Sequence, residues 1–206
     1  SSASAAAPVD PKDIGELNTE VVAFVKACYN DPLRWVKGAY PWKVAGTSLE
    51  HDAGPDVWQE QFLRDLGKEV RANAFNGRDP VLPIQRAVSK GHGVGGSVMI
   101  AWLTDWIMST RPDSNGVVTA NTNVQLQTKT WAAVIRWTKL SITAHWWIIN
   151  TARMAHKAYP ESWFCTPQTC RPENAEAYAG QHSKGSSSFY MFDEDSAIPN
   201  VIHEVA

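Results

Sequence analysis

Val88-Ser89-Lys90-Gly91-His92-Gly93-Val94-Gly95-Gly96-Ser97 is the stretch on which the reading of the fold turns. A β-prone run, Val81 to Val88, precedes it, and apolar residues follow at helical spacing from Val98 through Ile107. The pattern predicts a strand, a glycine-rich turn and a helix that begins at Ser97. Such a turn aims several backbone N–H groups and the positive end of a helix dipole into one hollow, which suits a phosphate chain. The glycines let the backbone turn sharply and approach phosphate without Cβ atoms in the way. The Ser97 hydroxyl is then placed to meet a magnesium ion.

The loop departs from the usual G-x-x-x-x-G-K-[S/T] pattern, because Gly96 stands where the lysine is expected. Lys90, at the end of the preceding run, is long and flexible enough to reach β- and γ-phosphates from the other side. Three readings follow: a working loop with a displaced lysine, a loop that binds nucleotide and hydrolyses it poorly, or a glycine-rich turn with no ligand.

A second motif weighs against the turn with no ligand. Phe189-Tyr190-Met191-Phe192 has no polar alternation, which predicts a parallel strand covered on both faces. Asp193 and Glu194 follow at its C-terminal end, where open α/β sheets bind ligands. Carboxylates are costly to bury there without a cation or a reacting water. Asp193 suits a residue that holds magnesium through water, and Glu194 a general base that polarises the attacking water.

The remaining chain supplies the frame. Pro11 to Tyr29 carries a helical stripe ended by Asp31-Pro32, and Leu33 to Pro55 reads as irregular. Asp56 is a plausible N-cap for a helix that begins near Val57. In that helix Gln59, with donor and acceptor on one amide, could read an adenine edge. Its plain alternative is an exposed helix glutamine. Gly116 to Asn121 predicts a second strand, with Thr122-Asn123 as a capping turn before a helix from Val124 to Leu140. The polar end of that strand, Thr119 to Gln125, falls on the edge of the phosphate loop. Trp146–Asn150 and Arg153–His156 read as a strand pair, and Trp163–Thr166 as another strand. His182 and Lys184 lie before the acidic strand; for His182 a structural role is the stronger reading.

Composition sets outer limits. The chain has 206 residues, 44% hydrophobic and 19% charged, which describes a globular α/β domain of good size. A net charge of −2 gives no overall pull toward nucleic acid. Ten tryptophans point to packing, with some left for partner surfaces. Cys28, Cys165 and Cys170 make no C-x-x-C pair and read as reduced thiols. No run is long enough for a membrane span, and the first residues given do not show the basic-plus-apolar pattern of a secretion signal. Residues 1–10 read as a disordered tail, 11–79 as a helical segment with the adenine-side glutamine, and 80–206 as the nucleotide-binding core.

In their order, Trp58-Gln59, Gly91-His92-Gly93-Val94-Gly95-x-Ser97, Val117-Val118-Thr119-Ala120-Asn121-Thr122, Ala179-Gly180-x-His182-x-Lys184-Gly185 and Phe192-Asp193-Glu194 resemble the N-terminal ATPase domain of tailed-phage terminase large subunits. The resemblance runs from Pro55 onward. It implies a three-layer P-loop fold of the additional-strand kind, with a mainly parallel central sheet. It also implies a motor in the host cytoplasm that spends ATP, with Mg²⁺, to drive double-stranded DNA into a procapsid. The portal protein, the small terminase subunit and further copies in a ring would be its partners. Gln59 would match the adenine-reading glutamine, residues 90–97 the nucleotide loop, Ser97 and Asp193 the magnesium residues, and Glu194 and Lys90 the catalytic groups. An arginine finger is not identifiable, with Arg78 and Arg86 as candidates. Large terminases continue into a nuclease domain, so this chain reads as a piece that stops soon after the acidic strand. A helicase-like DNA-dependent ATPase and a nucleotide-binding module with little hydrolysis are the alternatives.

Overall fold

The computed structural model describes residues 11–73, 84, 95–169, 187–193 and 202–205, with side chains from residue 18 onward and none for 202–205. Four helices come first: α1 (Pro11–Ala27), α2 (Pro32–Ala39), α3 (Val57–Ala72) and α4 (Gly96–Thr110). Strand β1 (Asn115–Ala120) leads to α5 (Asn123–Gln125), a π-helical turn (Leu126–Thr130) and α6 (Trp131–Leu140). Strands β2 (Trp147–Ile149), β3 (Met154–His156), β4 (Phe164–Pro167), β5 (Ser188–Asp193) and β6 (Ile202–Val205) complete the chain.

The sequence placed an irregular segment where α2 stands. Helix α1 ends at Ala27, ahead of Asp31, whose carboxylate accepts from the Arg34 backbone N–H at 2.9 Å, and Pro32 occupies the first position of α2. Cap and proline together start a helix as firmly as they stop one. Trp35, Val36 and Ala39 turn inward from it. Residues 40–56 are irregular, as expected, with Lys43, Gly46 and Gly54 at positive φ.

The sheet is not mainly parallel. Its order is β2-β3-β4-β1-β5-β6. Only β4–β1 and β1–β5 run parallel; β2–β3, β3–β4 and β5–β6 are antiparallel. Connection length explains the difference, since a parallel return needs a crossover of about a dozen residues or more. The β2–β3 link is a tight turn in which the Asn150 side-chain oxygen accepts from the backbones of Ala152 and Arg153 at 2.8 and 3.1 Å. Residues 194–201 are too few for a crossover between β5 and β6. The chain is thus a mixed α/β protein with a parallel centre and antiparallel flanks, and β6 had no counterpart in the sequence reading.

Helix α4 is the hub. From Met99 to Thr110 every residue is buried, which accounts for apolar residues all around it rather than along one stripe. Toward the sheet, the Thr104 hydroxyl meets the Met191 sulfur at 3.3 Å. Toward α1, the Trp106 indole donates to the Cys28 carbonyl at 2.8 Å. Toward α6, the Trp102 and Trp137 rings meet edge to face at 5.2 Å, and Tyr40 meets Trp137 the same way at 4.9 Å. Edge-to-face pairs add about 1 kcal/mol each beyond the area they bury. The tryptophans are therefore chiefly packing: Trp35, Trp102, Trp106, Trp131, Trp137, Trp147 and Trp163 are all buried. Cys28 and Cys165 are buried free thiols, and Cys170 lies outside the described residues.

Strand β5 alternates. Phe189, Met191 and Asp193 are buried under the helices, while Tyr190 and Phe192, on the other face, are only half-buried. The expectation of a strand covered on both faces holds for one face alone. No described helix is long and apolar enough to cross a membrane.

One buried acid lies away from the sheet end. Asp105 of α4 is fully buried and accepts from the Tyr40 hydroxyl at 3.0 Å. Burial lifts its carboxyl from 3.8 to about 7, a rise that the Tyr40 hydrogen bond partly offsets. The folded protein therefore keeps a proton that the unfolded chain has lost. The contribution of Asp105 to stability is full below pH 4 and declines as pH rises toward 7, by about 4 kcal/mol in total. Asp105→Asn keeps an acceptor for Tyr40 and cannot ionise. Urea unfolding at pH 5 and pH 8 should show the variant gaining stability relative to the parent at the higher pH. An equal difference at both pH values would refute this.

Candidate functional site

Helix α4 starts from Gly95, whose φ of 69° and ψ of 23° lie in the left-handed region. Glycine takes that conformation without a Cβ penalty. The turn sets Ser97 in the first turn of α4, on the end that carries the helix's unpaired N–H groups. From the other direction, β5 delivers Asp193 at its C-terminus, level with Ala120 at the end of β1. The two meet: the Ser97 hydroxyl donates to Asp193 Oδ2 at 2.6 Å, across 96 positions of sequence. Asp193 is 4% exposed.

A third residue joins them. The Thr130 hydroxyl donates to the same Asp193 oxygen at 2.7 Å, and Thr130 is completely buried. It closes the π-helical turn in the middle of a helical stretch that the sequence predicted as continuous from Val124 to Leu140. The sequence did carry a signal. Leu126 and Trp131, both buried, are five positions apart where an α-helix would use three or four, and a π turn makes that step.

Gln59 also comes to this place. It is 5% exposed, so the plain reading of an exposed helix glutamine is corrected. Its carbonyl oxygen accepts from the Asp56 backbone N–H at 2.8 Å and closes the capping box of α3. Its amide nitrogen lies against Gly95, where an added Cβ would sit 2.9 Å from it. Capping α3 thus fixes the rotamer that points the amide N–H₂ toward the start of α4. Capping uses one lone pair of the oxygen and leaves the other, so the amide retains both hydrogen-bonding functions.

The polar end of β1 divides. Thr122 caps α5, accepting from Gln125 N at 3.1 Å, which is the plain structural reading. Thr119 is buried, and its hydroxyl has no partner among the described residues. Lys90, Gly91, His92, Gly93, Val94 and Glu194 lie outside the described residues, as do Arg78, Arg86, His182 and Lys184. Of the predicted site, the structure therefore brings together Gln59, Gly95, Gly96, Ser97 and Asp193, and adds Thr130.

Ser97, Thr130 and Asp193 present oxygen atoms only. A carboxylate with hydroxyl oxygens beside it suits a hard cation such as magnesium rather than a thiol-seeking metal. No cluster of three or more His, Cys, Asp or Glu side chains occurs among the described residues. Magnesium, which keeps several waters and usually shares phosphate oxygens, does not need one. Comparison with models of protein families, with curated proteins and with solved structures found no match to this chain.

Proposed function

We propose that this chain binds a magnesium–nucleoside triphosphate, ATP by the resemblance, between the start of α4 and the end of β5, and hydrolyses it as the ATPase part of a viral DNA-packaging motor. The observation that carries the reading is the 2.6 Å hydrogen bond between Ser97 and Asp193. Nothing in local sequence requires those residues to meet. A glycine-led helix start facing a strand-end carboxylate is the arrangement that the hydrolysis of a phosphate chain needs.

In this reading Ser97 and Asp193 hold the cation, which supplies neutralising charge to the phosphate oxygens. The backbone N–H groups at the start of α4 hold the phosphates, and Lys90 adds a mobile positive charge. Glu194, next in sequence to Asp193, orients the attacking water. Gln59 faces the nucleotide from α3, where its amide can meet a base edge. The motor, its double-stranded DNA substrate, the portal and small-subunit partners and the ring of copies rest on the resemblance alone.

A nucleotide-binding module with little turnover is the second reading, favoured by Gly96 at the usual lysine position. Two measurements separate them: binding of a fluorescent ATP analogue with and without Mg²⁺, and phosphate release with and without double-stranded DNA. Magnesium-dependent binding with DNA-stimulated release supports the motor; binding without release supports the module; no binding overturns both. In the motor, Glu194→Gln should keep nucleotide affinity within about threefold and slow release by about a hundredfold or more. Loss of binding in that variant would remove Glu194 from its assigned role.

A further inference from the structure

Asp193 Oδ2 accepts two hydroxyls at once, and they arrive from different parts of the chain. Ser97 comes from the glycine-led start of α4, and Thr130 from the π-helical turn before α6. Their chemistry separates when a cation enters. A serine that ligated the metal would do so through an oxygen lone pair and keep its O–H for the carboxylate, so its direction would be set by the cation as well as by Asp193. The hydroxyl of Thr130 has no such second duty and is aimed by Asp193.

We infer that Thr130 is a positioning residue of the magnesium site, acting through Asp193, and that the π-helical turn exists to bring its hydroxyl there. The inference rests on the magnesium–nucleotide reading above and adds a residue and a structural device to it. Three observations support it. Thr130 is completely buried, so solvent cannot satisfy its hydroxyl, and Asp193 is the partner that does. The π turn interrupts a stretch whose flanking residues are helical on both sides, and this irregular geometry is confined to the five residues ending at Thr130. Single-turn π insertions within α-helices recur at functional sites. Thirdly, the same helical stretch continues into α6, whose Trp131 donates to the Asn150 carbonyl at 2.8 Å and whose Trp137 packs against Trp102 of α4. Thr130 is therefore anchored on its C-terminal side and holds the carboxylate from a rigid element.

The role has consequences for specificity. A carboxylate held by a fixed donor presents its remaining oxygen lone pairs in one direction, and magnesium demands near-ideal octahedral geometry. Loosening the carboxylate should weaken magnesium more than manganese, which tolerates wider geometry. Groups that orient a ligating side chain in this way change metal affinity by about 10–100-fold when removed.

The test compares Thr130→Val, an equal-sized side chain with no hydroxyl, with Thr130→Ser, which keeps it. The readout is the Mg²⁺ concentration that half-saturates binding of a fluorescent ATP analogue, set beside binding in EDTA, the same titration with Mn²⁺, and thermal stability in EDTA. Thr130→Val should raise the Mg²⁺ requirement about tenfold, raise the Mn²⁺ requirement less, and leave metal-free binding within about twofold. Thr130→Ser should restore the parent value within about threefold. A Thr130→Val protein with an unchanged Mg²⁺ requirement, or a Thr130→Ser protein as impaired as Thr130→Val, overturns the inference and leaves the nucleotide site standing. Equal losses with and without metal mean that Thr130 only supports the fold, which also overturns it. If the parent protein itself shows no magnesium-dependent binding, the nucleotide reading falls and this inference with it.

Discussion

Asp193→Asn should reduce magnesium-dependent phosphate release by about a hundredfold or more while the protein stays folded. The two halves of that expectation come from one geometry. Asparagine keeps the shape of aspartate and an oxygen that can accept from Ser97 and Thr130, whose hydroxyls now lie 2.6 and 2.7 Å from Asp193 Oδ2. It lacks the charge that would hold a divalent cation in the proposed site. Removing that charge from a 4% exposed position also removes a desolvation cost, so stability should fall little or even rise. Circular dichroism and thermal melting report the fold, and phosphate release at saturating Mg·ATP reports the chemistry. Release within threefold of the parent would sink the assignment of Asp193. A collapse of the fold would instead make it a structural acid.

Gly116→Ala should be the most damaging single methyl group in the sheet. Gly116 lies opposite Phe189 in the parallel β1–β5 pair. An added Cβ would lie 2.0, 2.4 and 2.5 Å from three atoms of the Phe189 ring. The ring cannot swing away, because Phe189 is completely buried. β1 cannot shift either, since it is paired on both sides, with β4 and β5. Overpacking of this kind costs about 3 kcal/mol, which in a chain of this size lowers Tm by roughly 10 °C. A smaller side chain should make room, so Phe189→Leu in the Gly116→Ala background should cost less than the two separate losses added together. Urea unfolding of the four proteins in that cycle gives the coupling. A Gly116→Ala protein melting within 2 °C of its parent would contradict the packing described here.

The loss at Gly116 and the loss at Asp193 differ in how visible they were beforehand. Asp193 stands out in the sequence because an apolar run ending in two acids asks for a cation or a water. Gly116 has no such mark; glycine before two valines reads as a strand end, and only the facing phenylalanine makes it irreplaceable. Gln59 falls between them. Its chemistry was readable, and its capping of α3 through Asp56 was half-readable from the Asp-x-x-Gln spacing. Its burial against Gly95 was not. Thr130 was hidden by the assumption of a continuous helix, although the five-residue step from Leu126 to Trp131 records the π turn.

What the sequence determined by itself is local. Caps at Asp31 and Asp56, the glycine-led start of α4, the β-prone runs at β1 and β5 and the polar residues at their ends all depend on interactions within a few positions. Tertiary structure alone decided the strand order, the antiparallel flanks of the sheet, the buried Asp105–Tyr40 pair and the meeting of Ser97, Thr130 and Asp193. The reason is physical. Backbone hydrogen bonds between strands are nearly indifferent to side-chain identity, and contacts across tens of positions follow from how whole faces bury each other, which no short window of residues contains.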